Sequence, residues 1–189
     1  RGNEGLMIKR TDSPYLPGRR GQWWYKFKRA LATLDVVVVA VEWGHGKRAQ
    51  VLSDYTFAVR DRAGGERLLA IGKAYTGLTD GEIAELTGWF KAHETGRRGS
   101  AIAVEPTVVL EVAFDVVQPS ALHASRFALR FPRIVRVRDD KPAAEIDTLE
   151  RVEAIYREML EREGVARQEQ SVMASSDGLP SQSRSQRKH

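Results

Sequence analysis

The chain has 189 residues, 42% of them hydrophobic and 29% charged, with a formal net charge of +5, the balance of a globular protein with room for a real core. It contains no cysteine, which excludes disulfides and thiolate metal sites, and its longest apolar run, residues 36–41, is far too short to span a bilayer. No signal peptide is visible and the first residue is Arg1 rather than Met, which suggests a fragment and leaves the cytoplasm as the expected compartment.

The charge is unevenly placed. Residues 1–30 hold eight Lys or Arg against two acids, and residues 126–141 hold six against two, so the rest of the chain carries a net −5. Two basic segments in an otherwise acidic chain predict a localised anion site.

In chain order, residues 5–10 read as a short strand and residues 11–21 as a loop broken by Pro14, Pro17, Gly18 and Gly21. Residues 23–29 read as an aromatic strand whose alternation puts Trp24, Lys26 and Lys28 on one face. Two neighbouring lysines on a sheet face repel unless an anion sits between them. A phosphate there would turn repulsion into binding; an edge strand whose lysines discourage aggregation is the plainer alternative. Glu4, before Gly5 and a strand, has the chemistry to hold a hard cation such as Mg²⁺, or is simply a charged strand start.

Residues 30–34 read as a linker or hinge and residues 35–43 as a near-continuous apolar strand. Two further strands follow at 51–61 and 66–75, joined by a turn at Gly64 and Gly65. Thr79 and Glu82 form a capping box, and the helix they start carries Ile83, Leu86 and Phe90 on one stripe. Residues 107–118 form the best strand by alternation, with Leu110, Val112, Phe114 and Val116 on one face and Glu111 and Asp115 on the other. Residues 127–138 are a further strand region interrupted at Pro132. Residues 147–163 form an amphipathic helix, and from Gly164 onward Ser, Gln and Arg dominate, as in a disordered tail. Five or so strands with one helix inserted midway fit a small closed β-barrel of the OB type, with a twisted sandwich as the alternative.

The segment from Phe131 to Lys141 is the densest in chemistry. It holds Arg133, Arg136, Arg138 and Lys141, with Asp139 and Asp140 just before the lysine. Arg136 and Arg138 share a face by alternation, and a planar guanidinium suits phosphate oxygens. A charged surface strand paired with its own acids is the competing reading. Glu111 and Asp115 make a possible metal or base pair, or a solvated sheet face. The four histidines, at 45, 93, 123 and 189, show no ligand spacing, and no Gly-x-x-x-x-Gly-Lys-Ser/Thr pattern occurs.

Together these segments resemble the ATP-dependent DNA ligases, within the covalent nucleotidyltransferase superfamily. Glu4-Gly-Leu-Met-Ile-Lys9 is similar to that family's motif IV and Trp24-Tyr-Lys26-Phe-Lys28 to its motif V. Glu111-Val-Ala-Phe-Asp115 resembles the strand motif of the OB domain. Arg130-Phe-Pro-Arg133 through Arg136-Val-Arg138-Asp-Asp140-Lys141 resembles motif VI. The resemblance implies a mainly β chain with helices: the end of an adenylation domain over 1–31, an OB-fold domain with a C-terminal helix over 32–163, and a tail over 164–189. It implies that Glu4 helps hold Mg²⁺ or Mn²⁺. Lys26 and Lys28 would contact the α-phosphate region of ATP, and Arg136, Arg138 and Lys141 its β- and γ-phosphates. Lys9 and Arg133 join the nucleotide-binding set, while Lys26, Lys28, Arg138 and Lys141 form the catalytic one. The implied activity is sealing of nicked double-stranded DNA through enzyme-adenylate and DNA-adenylate intermediates, by a monomer with no membrane association. A hinge near residues 32–35 would let the OB domain rotate.

Two other readings stay open at this level: a stand-alone OB-type nucleic-acid-binding module, and a fragment of an RNA ligase or capping nucleotidyltransferase. The chain departs from the ligase pattern in one respect. The family's nucleophilic lysine lies in a Lys-x-Asp-Gly motif, and no such string occurs here. The 189-residue chain incubated with labelled ATP and Mg²⁺ is therefore expected to form no protein–AMP adduct; a lysine-linked adduct on a gel would refute this.

Overall fold

The computed structural model describes residues 5–12, 24–28 and 32–176. Strands β1 (Gly5–Lys9) and β2 (Trp24–Lys28) form an antiparallel pair, with Gly5 opposite Lys28 and Lys9 opposite Trp24. The Lys9 ammonium lies 4.2 Å from the centre of the Trp24 ring, a cation–π contact. Most of the expected loop at 11–21 lies outside the described residues. This hairpin and residues 32–157 belong to separate compact units.

The second unit is organised on one long strand, β3 (Ala32–Trp43). Its residues Val36, Val37 and Val38 are all fully buried, which a strand achieves only when both of its faces are covered. Along one edge β3 pairs with β8 (Val109–Phe114) over Ala32 to Val37, and then with β7 (Ala101–Val104). Along the other it pairs with β4 (Leu52–Arg60), which pairs in turn with β5 (Leu68–Ala74). The main path of this seven-stranded sheet is β11-β8-β3-β4-β5, with β11 at Arg133–Val137 and β6 (Glu94–Arg98) paired to β7. On one face Val37, Ala58, Val109 and Ile146 are buried together, with Val39, Leu68 and Ala143 packed against them. The mainly β class read from the sequence is the one the chain forms. The ladder itself is open, but the Ile134 N–H donates to the Thr76 carbonyl at 2.9 Å, tying β11 to the residues that follow β5.

Helix α1 (Asp80–Ala92) starts at the expected capping box, with Glu82 N–H donating to the Thr79 hydroxyl and Thr79 N–H to the Glu82 carboxylate. Its buried positions are Ile83, Thr87 and Phe90, so Ile83 and Phe90 of the expected stripe are buried while Leu86 is only half-buried. Thr87 earns its burial by accepting from Leu52 N–H at 3.0 Å and donating to Ile83 O at 2.7 Å. Phe90 meets Tyr55 at 5.9 Å between ring centres.

Four expectations need correction. Residues 32–34, read as linker, are the first rungs of β3, held by β8, so the expected hinge at 32–35 is regular strand. The single strand expected at 107–118 is two, because Asp115 forms a bend and gives its N–H to Arg130 O. Beyond it β9 (Val116–Pro119) pairs with β10 (Phe127–Arg130) instead of the main sheet. The bend shifts the alternation by one, leaving Val116 exposed and Val117 buried. The hairpin β6–β7 is an addition; its short polar first strand carries no hydrophobic alternation. Helix α2 runs Leu149–Ser176, well past Gly164, where the disordered tail was expected to start. Ala166, Arg167, Gln168, Glu169 and Gln170 are good helix formers, and no proline intervenes before Pro180. Residues 177–189 lie outside the described ones. Within this helix Val152 and Ile155 are buried, whereas Leu160 is exposed.

Gly77 has φ +118°, and a Cβ there would overlap the Ile134 carbonyl. Gly77→Ala is expected to destabilise by about 1–3 kcal/mol from backbone strain alone. Gly88, inside α1 with open space around it, is the control: Gly88→Ala should stabilise by about 0.5–1 kcal/mol. Urea denaturation midpoints of the two variants check both signs.

Candidate functional site

The site grows from the entrance of β3. Asp35 sits opposite Glu111 on β8, and Glu111 opposite Arg136 on β11, so three charged residues occupy successive rungs of one line across the sheet. The backbone of Asp35 is pinned from outside the sheet: its N–H donates to the Asp147 carboxylate at 2.8 Å, and its carbonyl accepts from Asp147 N–H at 2.9 Å. Asp147 also receives the Arg60 N–H on its carbonyl, so one residue stitches β3 to β4.

Beyond β11 the chain turns at residues 138–141. Arg138 N–H donates to Val109 O at 2.8 Å, and Lys141 N–H to Arg138 O at 3.1 Å. This turn brings two cations to one carboxylate. Arg138 Nη1 lies 2.8 Å and 3.0 Å from the two Asp35 oxygens, and Lys141 Nζ lies 2.7 Å from Asp35 Oδ2. The remaining edge of the guanidinium, Nε and Nη2, donates to both oxygens of Asp140, at 2.8 Å and 2.9 Å. Asp35, Arg138 and Lys141 keep only 15%, 17% and 22% of their side-chain surface exposed. Charges so far from bulk water must be matched. Here two acids match two bases.

The neighbouring cations are paired more loosely. Arg136 Nε lies 2.8 Å from Glu111 and is more than half exposed; Arg133 Nη1 lies 3.6 Å from Asp115. Glu111 and Asp115 thus serve separate arginines rather than forming a two-carboxylate centre. Hydrogen bonding to Asp140 and the charge of Asp35 hold the Arg138 guanidinium further above its ordinary range, despite the cost of burial. The Arg138 hydrogen bond pushes the Asp140 carboxyl down to about 2. A cleft of about 480 Å³ opens beside the turn, walled by Glu82, Glu85 and Trp89 of α1 and reaching Arg138 and Lys141.

Of the residues picked from sequence, Arg133, Arg136, Arg138 and Lys141 come together on this one unit. Lys9 stands over Trp24, and Lys26 and Lys28 take the rungs opposite Met7 and Gly5 in the other unit. Glu4 lies outside the described residues. Among the described residues no group of three or more metal-ligating side chains forms. No described helix is long and apolar enough to cross a membrane. The residue that sequence reading missed is Asp35. Its one visible signal is a lone acid at the mouth of a long apolar run.

This arrangement, a mainly β unit presenting an arginine and lysine cluster on and just beyond its last strand, matches a known class. The family described as ATP dependent DNA ligase C terminal region matches residues 48–141. A protein named "Probable DNA ligase" from Koribacter versatilis is 66% identical over 157 residues, which are 83% of this chain and 27% of that protein. "DNA ligase 2" of Methanosarcina acetivorans is 46% identical over 162 residues, 85% of this chain and 28% of that protein. Among solved structures, the ligase domain from M. tuberculosis LigD is similar with a TM-score of 0.52 and 26% identity, covering 76% of this chain and 47% of that one. The chain belongs to the ATP-dependent DNA ligases and corresponds to their C-terminal region. It spans little more than a quarter of the length of these two named relatives.

The network has a definite pH dependence. Asp140 titrates at an ordinary 3.8 in the unfolded chain and at about 2 when folded. Its contribution to stability is therefore complete above the unfolded value and is lost as pH falls through the folded one. Urea midpoints should fall between about pH 4 and about pH 2, and Asp140→Asn should flatten that part of the profile. An unchanged profile in the variant would show that Asp140 carries none of it.

Proposed function

We propose that this chain is the phosphate-handling C-terminal part of an enzyme that seals nicks in double-stranded DNA, using ATP and a divalent metal, Mg²⁺ or Mn²⁺. The observation that supports this best is the pair Arg138 and Lys141, converging on one carboxylate beside an open cleft. A site that already gathers two cations around two oxygens has the charge and spacing to take phosphate oxygens instead. Arg136, more exposed and one rung away, extends the same positive edge, and Arg133 continues it.

In this reading ATP supplies the adenylyl group. Arg136, Arg138 and Lys141 hold its β- and γ-phosphates so that pyrophosphate departs readily. Phosphoryl-group chemistry depends on positioned cations more than on covalent help, and these side chains provide them. Lys26 and Lys28 on β2 are assigned to the α-phosphate region, with Lys9 on the neighbouring strand and Glu4 for the metal. These four assignments rest on the motif resemblance. The domain division, with residues 1–31 closing an adenylation domain and 32–163 forming the mobile OB-type domain, belongs to the same reading, as does action as a monomer.

The test exploits the fact that β- and γ-phosphates exist only before pyrophosphate leaves. In an intact ligase carrying this chain, Arg138→Ala and Lys141→Ala should each slow protein–AMP formation from ATP by about 10²-fold or more. Sealing of DNA nicks that are already adenylated should suffer much less. Equal losses in both assays would refute the assignment to the β- and γ-phosphates.

A further inference from the structure

We propose that Asp35 is an internal stand-in for phosphate: it assembles Arg138 and Lys141 into a clamp while no nucleotide is bound, and must be displaced for the clamp to act. The proposal rests on the reading of these two cations as phosphate ligands and adds a positioning residue to it.

Three observations carry it. First, all three side-chain nitrogens of Arg138 are engaged. Its Nη1 is on Asp35, while Nε and Nη2 are on Asp140. A phosphate cannot gain a two-pronged contact with this guanidinium unless one carboxylate lets go. Second, Lys141 uses the same oxygen of Asp35, Oδ2, that Arg138 approaches. One carboxylate therefore holds both cations in one place. With Asp140 included the cluster is neutral, so an incoming polyphosphate meets no net attraction from it until Asp35 is exchanged.

Third, the two sides of the contact are anchored differently. Asp35 lies within β3, paired to Glu111 on β8 and bonded twice to Asp147. Its partners sit on a turn outside the ladder, held by the Arg138 N–H on Val109 O and the Lys141 N–H on Arg138 O. The carboxylate is the fixed element and the cations are the ones that leave. Asp140, whose side chain is 59% exposed, moves with the turn and stays with Arg138. Exchange thus means one carboxylate is replaced by phosphate, while the other keeps the guanidinium oriented.

The test uses the 189-residue chain and inorganic tripolyphosphate, with binding followed by calorimetry at fixed salt. Asp35→Asn removes the competing charge but keeps an acceptor, and should tighten tripolyphosphate binding by about tenfold. Asp35→Glu keeps the charge and should bind like the unchanged chain. A merely structural role for Asp35 would weaken binding on removal, so a gain is diagnostic. Equal or weaker binding by a folded Asp35→Asn chain, judged by circular dichroism, overturns the proposal. If that variant fails to fold, Asp35→Ser makes the same comparison with the same two outcomes. Adding Arg138→Ala to each background separates the two readings. If it abolishes tripolyphosphate binding while Asp35→Asn brings no gain, only the stand-in role fails. If it leaves binding untouched in both backgrounds, the phosphate-clamp reading fails with it.

Discussion

The contact on which the site depends is the carboxylate of Asp35 receiving Arg138 and Lys141. These side chains are mostly removed from water, where an unmatched charge would be costly. The pairing gathers two cations, 103 and 106 residues away in the chain, into one place.

Asp35 is able to do this because of the strand it lies in. β3 is buried on both faces through Val36, Val37 and Val38, which fixes it as a central strand of the sheet. Pairing with β8 then sets Glu111 beside Asp35, and pairing of β8 with β11 sets Arg136 beside Glu111. A hydrophobic constraint on one strand is converted, rung by rung, into the position of a charge two strands away along the sheet. Asp147, packed back from the end of the basic segment, closes the circuit by holding the Asp35 backbone. The segment that provides the cations is thereby followed at once by the segment that immobilises their partner.

The matched family region covers residues 48–141. It contains Arg138 and Lys141 but not Asp35. The chain's similarity to its relatives nonetheless extends over 157 and 162 residues, more than the matched region holds. The site is assembled from the two ends of the unit, and its acid and its bases are 103 and 106 residues apart in the chain. Charge pairs of that separation have no signature in local spacing.

Much was legible from residue order alone. The apolar run at 36–41, the capping box at Thr79 and Glu82, and the basic cluster ending at Lys141 are local patterns. Hydrophobic period, capping geometry and charge density each act over a few residues. The same locality explains the misreadings. Residues 107–118 alternate well enough to look like one strand, and only the bend at Asp115, driven by its bond to Arg130 O, divides them between two sheets. Residues 30–34 lack strong strand character, yet β8 recruits residues 32–34 into its ladder. The sequence by itself determined that a dense set of arginines would lie along a strand near the end of a mainly β unit, with a lysine just beyond it, because composition and alternation are intrinsic to the segment. Only the tertiary structure decided that Arg138 and Lys141 would meet at Asp35, because ion pairs between half-buried groups are chosen by which backbone positions the sheet brings within a few ångströms.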